Sequence, residues 1–260
     1  MKSVGVNLFS LRTLIKTEEG LAETLTALGE MGYSCAQFSG APFDAAVIKR
    51  ASERSGVPIL LTHVPLDDIL ERTEWLMEEH ASFGARAIGL GSLPRDVIPD
   101  EAKIKHLVER LGGAAERMEA SGFRLYFHNH HQDCYKHGGE TLLDYMIRTC
   151  PALHFTLDTY WLQFGGLSVT DYIKKLSGRI AFVHLKDYKI LATKNENGSY
   201  TYAPTYAPVG EGNLDFASYY PLMRAAGVEH YLVEQDNAVS FPDPLDEVRR
   251  SINYIRRNFG

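Results

Sequence analysis

Short apolar runs rich in Val, Ile, Leu and aromatic residues alternate with longer segments of helical period from one end of the chain to the other. That alternation is the sequence form of repeated βα units around a parallel sheet. Eight strands are predicted, over residues 4–9, 35–39, 58–63, 87–91, 125–130, 154–158, 180–186 and 231–234. Thr17-Glu18-Glu19 opens the first helix and Gly29 and Gly32 bracket its end, while Gly56, Gly84, Gly122, Gly178 and Gly227 stop the segments before later strands. Eight such units predict an α/β fold closed into a single (β/α)8 TIM barrel spanning residues 1–260, with no second-domain boundary. The one long irregular stretch, from Tyr188 to Asn213, is expected to be a lid or binding loop.

Composition agrees with this reading, since 260 residues with 45% hydrophobic and 23% charged content suit a one-domain barrel. A net charge of −6 without any basic block argues against nucleic acid as a partner. Cys35, Cys134 and Cys150 lack CxxC spacing, which speaks against a disulfide framework or thiolate zinc site and for a reduced, cytoplasmic protein. The N-terminal apolar run is too short for a signal peptide, and no stretch reaches membrane-spanning length.

In a parallel barrel the chemistry sits where strands end. Strand five ends in Phe127-His128-Asn129-His130-His131, strand six in Thr156-Leu157-Asp158, strand seven in Val183-His184-Leu185-Lys186-Asp187 and strand eight in Val233-Glu234-Gln235-Asp236. Strand side chains alternate between faces, so His128 pairs with His130, Thr156 with Asp158, His184 with Lys186 and Glu234 with Asp236. If those faces line the interior, imidazoles and carboxylates converge there, a donor set suited to Mn²⁺, Mg²⁺, Co²⁺ or Zn²⁺. Singly, Asp158 reads equally well as a helix cap, His184 as a core histidine and Glu234 as the partner of a base. Two acids buried together in a barrel core are costly without a cation, and this favours the collective reading.

His63, Gln37 and Ser39 end earlier strands and are weaker candidates for contact with substrate hydroxyls. Lys186 can stabilise developing negative charge or transfer a proton. The turn Val209-Gly210-Glu211-Gly212 would let backbone N–H groups approach a ligand, but no GxGxxG or P-loop lysine is present to suggest a nucleotide. Tyr188, Tyr200, Tyr202 and Tyr206 make the long loop rich in rings able to pack on sugar faces or on one another.

These motifs, together with Leu8-Phe9-Ser10-Leu11-Arg12, Leu157-Asp158-Thr159-Tyr160-Trp161, Gly178-Arg179-Ile180 and Val209-Gly210-Glu211-Gly212-Asn213, resemble the xylose-isomerase-like barrel superfamily. The likeness is to its sugar phosphate isomerase/epimerase and inosose-dehydratase-like branch, which shares its fold with metal-dependent apurinic endonucleases. The resemblance implies one divalent metal, manganese first, with one ligand from each of strands five to eight: His128, Asp158, His184 and Glu234. His130 and Asp133 are the alternatives for the first of these. Sugar epimerases have glutamate where His128 stands, and several relatives have histidine where Trp161 stands; the full ligand set of the endonucleases is missing.

The expected activity is isomerisation or epimerisation of a ketose or related polyol through a metal-stabilised enediolate, with Glu234, His130 and Lys186 as proton-transfer candidates. His63, Trp161, Asp187, Glu211 and Asp236 are the expected substrate contacts. An inosose-dehydratase-like or other keto-sugar lyase using the same metal is the alternative, and a non-catalytic metal- and sugar-binding barrel a further one. A small sugar-like molecule is the expected partner, with a homo-oligomer possible and neither nucleic acid nor membrane.

Overall fold

A computed structural model describes residues 2–260. Eight strands form the barrel: β1 Ser3–Asn7, β2 Cys35–Phe38, β3 Ile59–Thr62, β4 Ala87–Leu90, β5 Arg124–His128, β6 His154–Asp158, β7 Phe182–Leu185 and β8 His230–Val233. All neighbouring pairs are parallel, and the spatial order runs β3-β2-β1-β8-β7-β6-β5-β4. The ring is completed between β3 and β4 by a single bridge, His63 opposite Gly89, where the Val64 N–H donates to the Gly89 carbonyl at 3.0 Å. Glycine is required at this seam, since a Cβ on residue 89 would lie 2.3 Å from the Thr62 carbonyl oxygen. The fold is the predicted (β/α)8 TIM barrel.

Strand alternation divides the interior into layers. Cys35, Leu61, Ala87, Tyr126, Phe182 and Leu232 pack together as an apolar plug. Two residues further along β3, β5, β7 and β8 the same inward face carries His63, His128, His184 and Glu234. The larger core lies outside the strands, where Val6, Ile59, Ile88, Phe127, Phe155 and Val233 meet helical residues such as Leu25, Ile48, Leu111 and Ile252, all at most 1% exposed. Helix ends follow local chemistry: Thr17 Oγ1 accepts from Gly20 N, and Gly32 ends the helix Glu18–Met31 at φ 93°.

The expected irregular stretch after β7 is mostly an antiparallel ribbon, Asp187–Lys194 paired with Tyr200–Ala207. Its register sets Tyr188 against Tyr206, Ile190 against Pro204 and Ala192 against Tyr202, so apolar residues share one face. β-branched and aromatic residues on both arms, joined at a turn with Gly198 at φ 83°, make this the favoured local structure. Among the described residues, no helix is long and apolar enough to cross a membrane.

Candidate active site

At the C-terminal ends of β5 to β8, His128, Asp158, His184 and Glu234 each offer one donor atom, and these atoms all lie within 4.8 Å of one another. Two of the residues face each other by register, Asp158 opposite His184, and all four are at most 4% exposed. Asp158 caps a helix, one of the readings its position suggested, and its second oxygen faces the histidines. Its Oδ1 accepts from Trp161 N at 2.8 Å and caps the helix Thr159–Phe164, while Oδ2 faces His128 Nε2 at 3.2 Å and His184 Nδ1 at 3.8 Å. His130 and Asp133 fall outside this group.

The hydrogen bonds around His184 say what the cluster needs. Its Nε2 lies 2.7 Å from the amide oxygen of buried Gln37, which takes the ring's N–H. The Nδ1 lone pair therefore faces Glu234 Oε2 at 2.6 Å and has no hydrogen-bond donor. Two acceptors at that distance call for a shared positive charge, and an outer-shell amide that fixes the tautomer is the usual device for an imidazole ligand. Mixed imidazole and carboxylate donors in a buried pocket thus fit a divalent cation.

Lys186 is 1% exposed, with Nζ 3.0 Å from Glu234 Oε1 and 2.7 Å from Asp236 Oδ1. Burial alone would lower its pKa, but Glu234, Asp158 and Asp236 outweigh that and raise it, so it stays an ammonium. Burial likewise opposes ionisation of Glu234, yet the Lys186 ammonium holds that carboxyl well below its usual range. Asp158 is pushed up by burial, against the pull of Lys186. Glu234 Oε2 also accepts from Asn7 Nδ2 at 2.9 Å, and Asn129 fixes the Asp158 backbone by accepting from its N–H at 2.8 Å.

Above the cluster opens a cavity of about 660 Å³, lined in part by Ser39, His63, Arg95, His128, His130, Trp161, Lys186, Tyr206, Glu234 and Asp236. The volume is that of a small-molecule site. Trp161 and Tyr206 form an aromatic wall, with Lys186 Nζ 4.9 and 5.1 Å from their ring centres. His63 lies beside His128, ring centres 5.4 Å apart, and His130 lies 4.5 Å from it. Burial, reinforced by His128, lowers the pKa of both His63 and His130, leaving them neutral.

Two expected substrate contacts stand elsewhere. Asp187 is one residue beyond Lys186, and the alternation of the strand turns it away from the interior. Its carboxylate accepts from the backbone N–H groups of Tyr188 (2.8 Å), Gly210 (2.9 Å), Gly212 (3.0 Å) and Leu214 (3.2 Å) and anchors the base of the ribbon. Glu211 pairs with Arg250 on the helix Pro244–Phe259, outside the cleft. Asp187→Ala leaves four N–H groups without their acceptor and is expected to cost on the order of 3 kcal/mol. Thermal unfolding should show a fall of several degrees, and a melting temperature equal to that of the parent would refute the anchoring role.

Asp133, fully buried, accepts from His130 N at 2.6 Å, and burial pushes its carboxyl up to about 7. The folded chain holds a proton there that the unfolded chain releases above about pH 4. Its stabilising contribution is therefore full below that pH and is lost as the pH rises toward 7. Asp133→Asn is expected to shrink the difference in unfolding free energy between acidic and neutral solution by a few kcal/mol. Urea titrations at both pH values check this, and an unchanged difference contradicts it.

Comparison with known proteins agrees with the fold. A family model described as xylose isomerase-like TIM barrel matches residues 25–258. An inosose dehydratase of Clostridium perfringens is 25% identical over 249 residues, covering 83% of this chain and 82% of the relative. Two solved structures show the same fold. A sugar phosphate isomerase/epimerase from Parabacteroides distasonis superposes with a TM-score of 0.78 at 17% identity, over 98% of this chain and 94% of that one. A probable 3-DHS dehydratase from Bacillus anthracis gives 0.70 at 12% identity, over 99% and 100%.

Proposed function

The chain belongs to the xylose isomerase-like TIM barrel family, and from that premise we propose that it is a dehydratase, dependent on one divalent cation, that acts on a polyhydroxylated keto-substrate. The observation that carries this reading is the asymmetry of the cleft. Imidazoles stand on the β3 and β5 side, and a single ammonium, held by Glu234 and Asp236, stands on the β7 and β8 side.

A divalent cation held by His128, Asp158, His184 and Glu234, with Mn²⁺ the first choice, would supply Lewis acidity at the substrate carbonyl. His130 lines the cavity and, in this reading, takes the proton from the carbon next to that carbonyl. Lys186 is already protonated, so it serves as the acid. Loss of the C–H proton leaves its electron pair delocalised into the carbonyl; as the pair then forms the new C=C bond, the β C–O bond breaks, and the hydroxyl leaves as water with the proton from Nζ. Trp161 and Tyr206 wall the cleft around the reacting carbons.

Epimerisation calls for a base on each face of one carbon. Here a histidine stands where sugar epimerases carry a glutamate, and the group opposite is a cation, so expulsion of water is favoured over return of the proton. The inosose dehydratase relative supports the same choice. The deciding experiment incubates Mn²⁺-loaded protein with keto-inositols and ketohexoses in D₂O. An ultraviolet-absorbing enone is the expected product. Deuterium incorporation at carbon without enone would instead mark an isomerase or epimerase, and neither signal would leave a binding protein.

A further inference from the structure

The charges lining the cleft answer one another with one exception. The two carboxylates among the four ligands match a divalent cation charge for charge, and Lys186 is met by Asp236 at 2.7 Å. Arg95 also lines the cavity, yet among the described residues its guanidinium has neither a hydrogen bond nor a carboxylate within ion-pair distance. The loop that carries it is fixed. Leu93 and Ile98 are 2% and 3% exposed, Gln132 Nε2 donates to Ser92 Oγ at 3.2 Å, and His137 Nε2 lies 2.8 Å from the Ile98 carbonyl. The residue thus stands at the exposed rim of the cavity on an ordered support.

We propose that Arg95 is the anion-recognising residue of the cleft and that the substrate carries a carboxylate or phosphoryl group besides its hydroxyls. This rests on the cleft being the substrate site and narrows the substrate class. The planar guanidinium fork offers paired N–H donors that match either oxyanion bidentately, whereas a neutral polyol would leave the charge facing only water. In a protein of net charge −6, a cation left unanswered at the rim of a concavity marks where the ligand's own negative charge belongs.

The test measures binding, by calorimetry on Mn²⁺-loaded protein, of D-fructose, D-fructose 6-phosphate and 5-keto-D-gluconate to the parent and to Arg95→Gln. At least one anion should bind about tenfold or more tighter than fructose, and Arg95→Gln should remove that advantage while leaving fructose binding within about twofold. The anion preferred by the parent identifies the group as phosphoryl or carboxylate. Equal affinity for charged and neutral probes, or a preference that survives Arg95→Gln, overturns the proposal. Arg95 is exposed, so an unchanged melting temperature confirms that the variant is folded. No turnover is read, so a failed dehydratase assay leaves this result standing, and loss of the charge preference leaves the enone test intact.

Discussion

Glu234→Gln is expected to abolish turnover and to weaken Mn²⁺ binding by more than the ~10–100-fold that loss of an outer-shell partner costs. The carboxylate joins three elements at once. Oε2 accepts from Asn7 Nδ2 and faces the open lone pair of His184, and Oε1 accepts from Lys186. An amide keeps the shape but removes the charge that the cation and the ammonium both lean on, so the loss is electrostatic rather than steric. Calorimetric titration of Mn²⁺ into chelator-treated protein gives the affinity. A Gln variant that binds Mn²⁺ within about threefold of the parent would show that the cluster is not the metal site.

Lys186→Met is expected to separate the two halves of the reaction. Removing the acid should lower the rate of enone formation by roughly 10²–10⁴-fold. His130, His128, Asp158 and His184 are untouched and Glu234 loses only its contact with Nζ, so exchange of the substrate C–H with D₂O should persist. Mn²⁺ affinity should hold or rise, because a neighbouring positive charge has been taken away. The linear methionine chain preserves contact with Trp161 and Tyr206, and the melting temperature with Mn²⁺ reports whether the pocket tolerates Asp236 without its partner. Unimpaired enone formation in this variant would remove Lys186 from the proposed mechanism.

The barrel was legible because the strands are compact apolar runs, six of the eight preceded by a glycine stop, and most end in polar residues. The ends differ by at most two residues. β1 stops at Asn7 because its side chain accepts from Phe9 N and turns the chain into the 3-10 segment Leu8–Leu11, and β5 stops at His128 because Asp133 captures His130 N. The two-residue period of strands five to eight gave pairs of polar residues sharing a face, and the family resemblance singled out His128, Asp158, His184 and Glu234 among them. The same period, carried one position further, would have placed Asp187 on the opposite face from Lys186.

The ribbon went unread because Pro204 and the polar turn around Asn197 masked two alternating arms of β-branched and aromatic residues. Gln37 was only a weak candidate, and Asn7, Asn129 and Arg95 carried no signal at all. Their importance comes from partners or gaps in partnership across the barrel, such as the Asn7–Glu234 contact spanning 227 positions. Tyr206 was noted only as a ring in the long loop, and its place on the cleft wall depends on how the ribbon pairs.

The single bridge at His63 and Gly89 divides the barrel mechanically. Every other neighbouring pair is laced by three or four register positions, so this joint is the first to part when the molecule breathes. His63 lies on that bridge and Arg95 follows β4, so parting would widen the cleft on the side that meets the outer end of a ligand. The arc from β5 to β8 is uninterrupted and would keep its four donor atoms together throughout. An ion held by those four atoms would therefore keep its ligands even as the opposite edge opened to ligands of differing bulk.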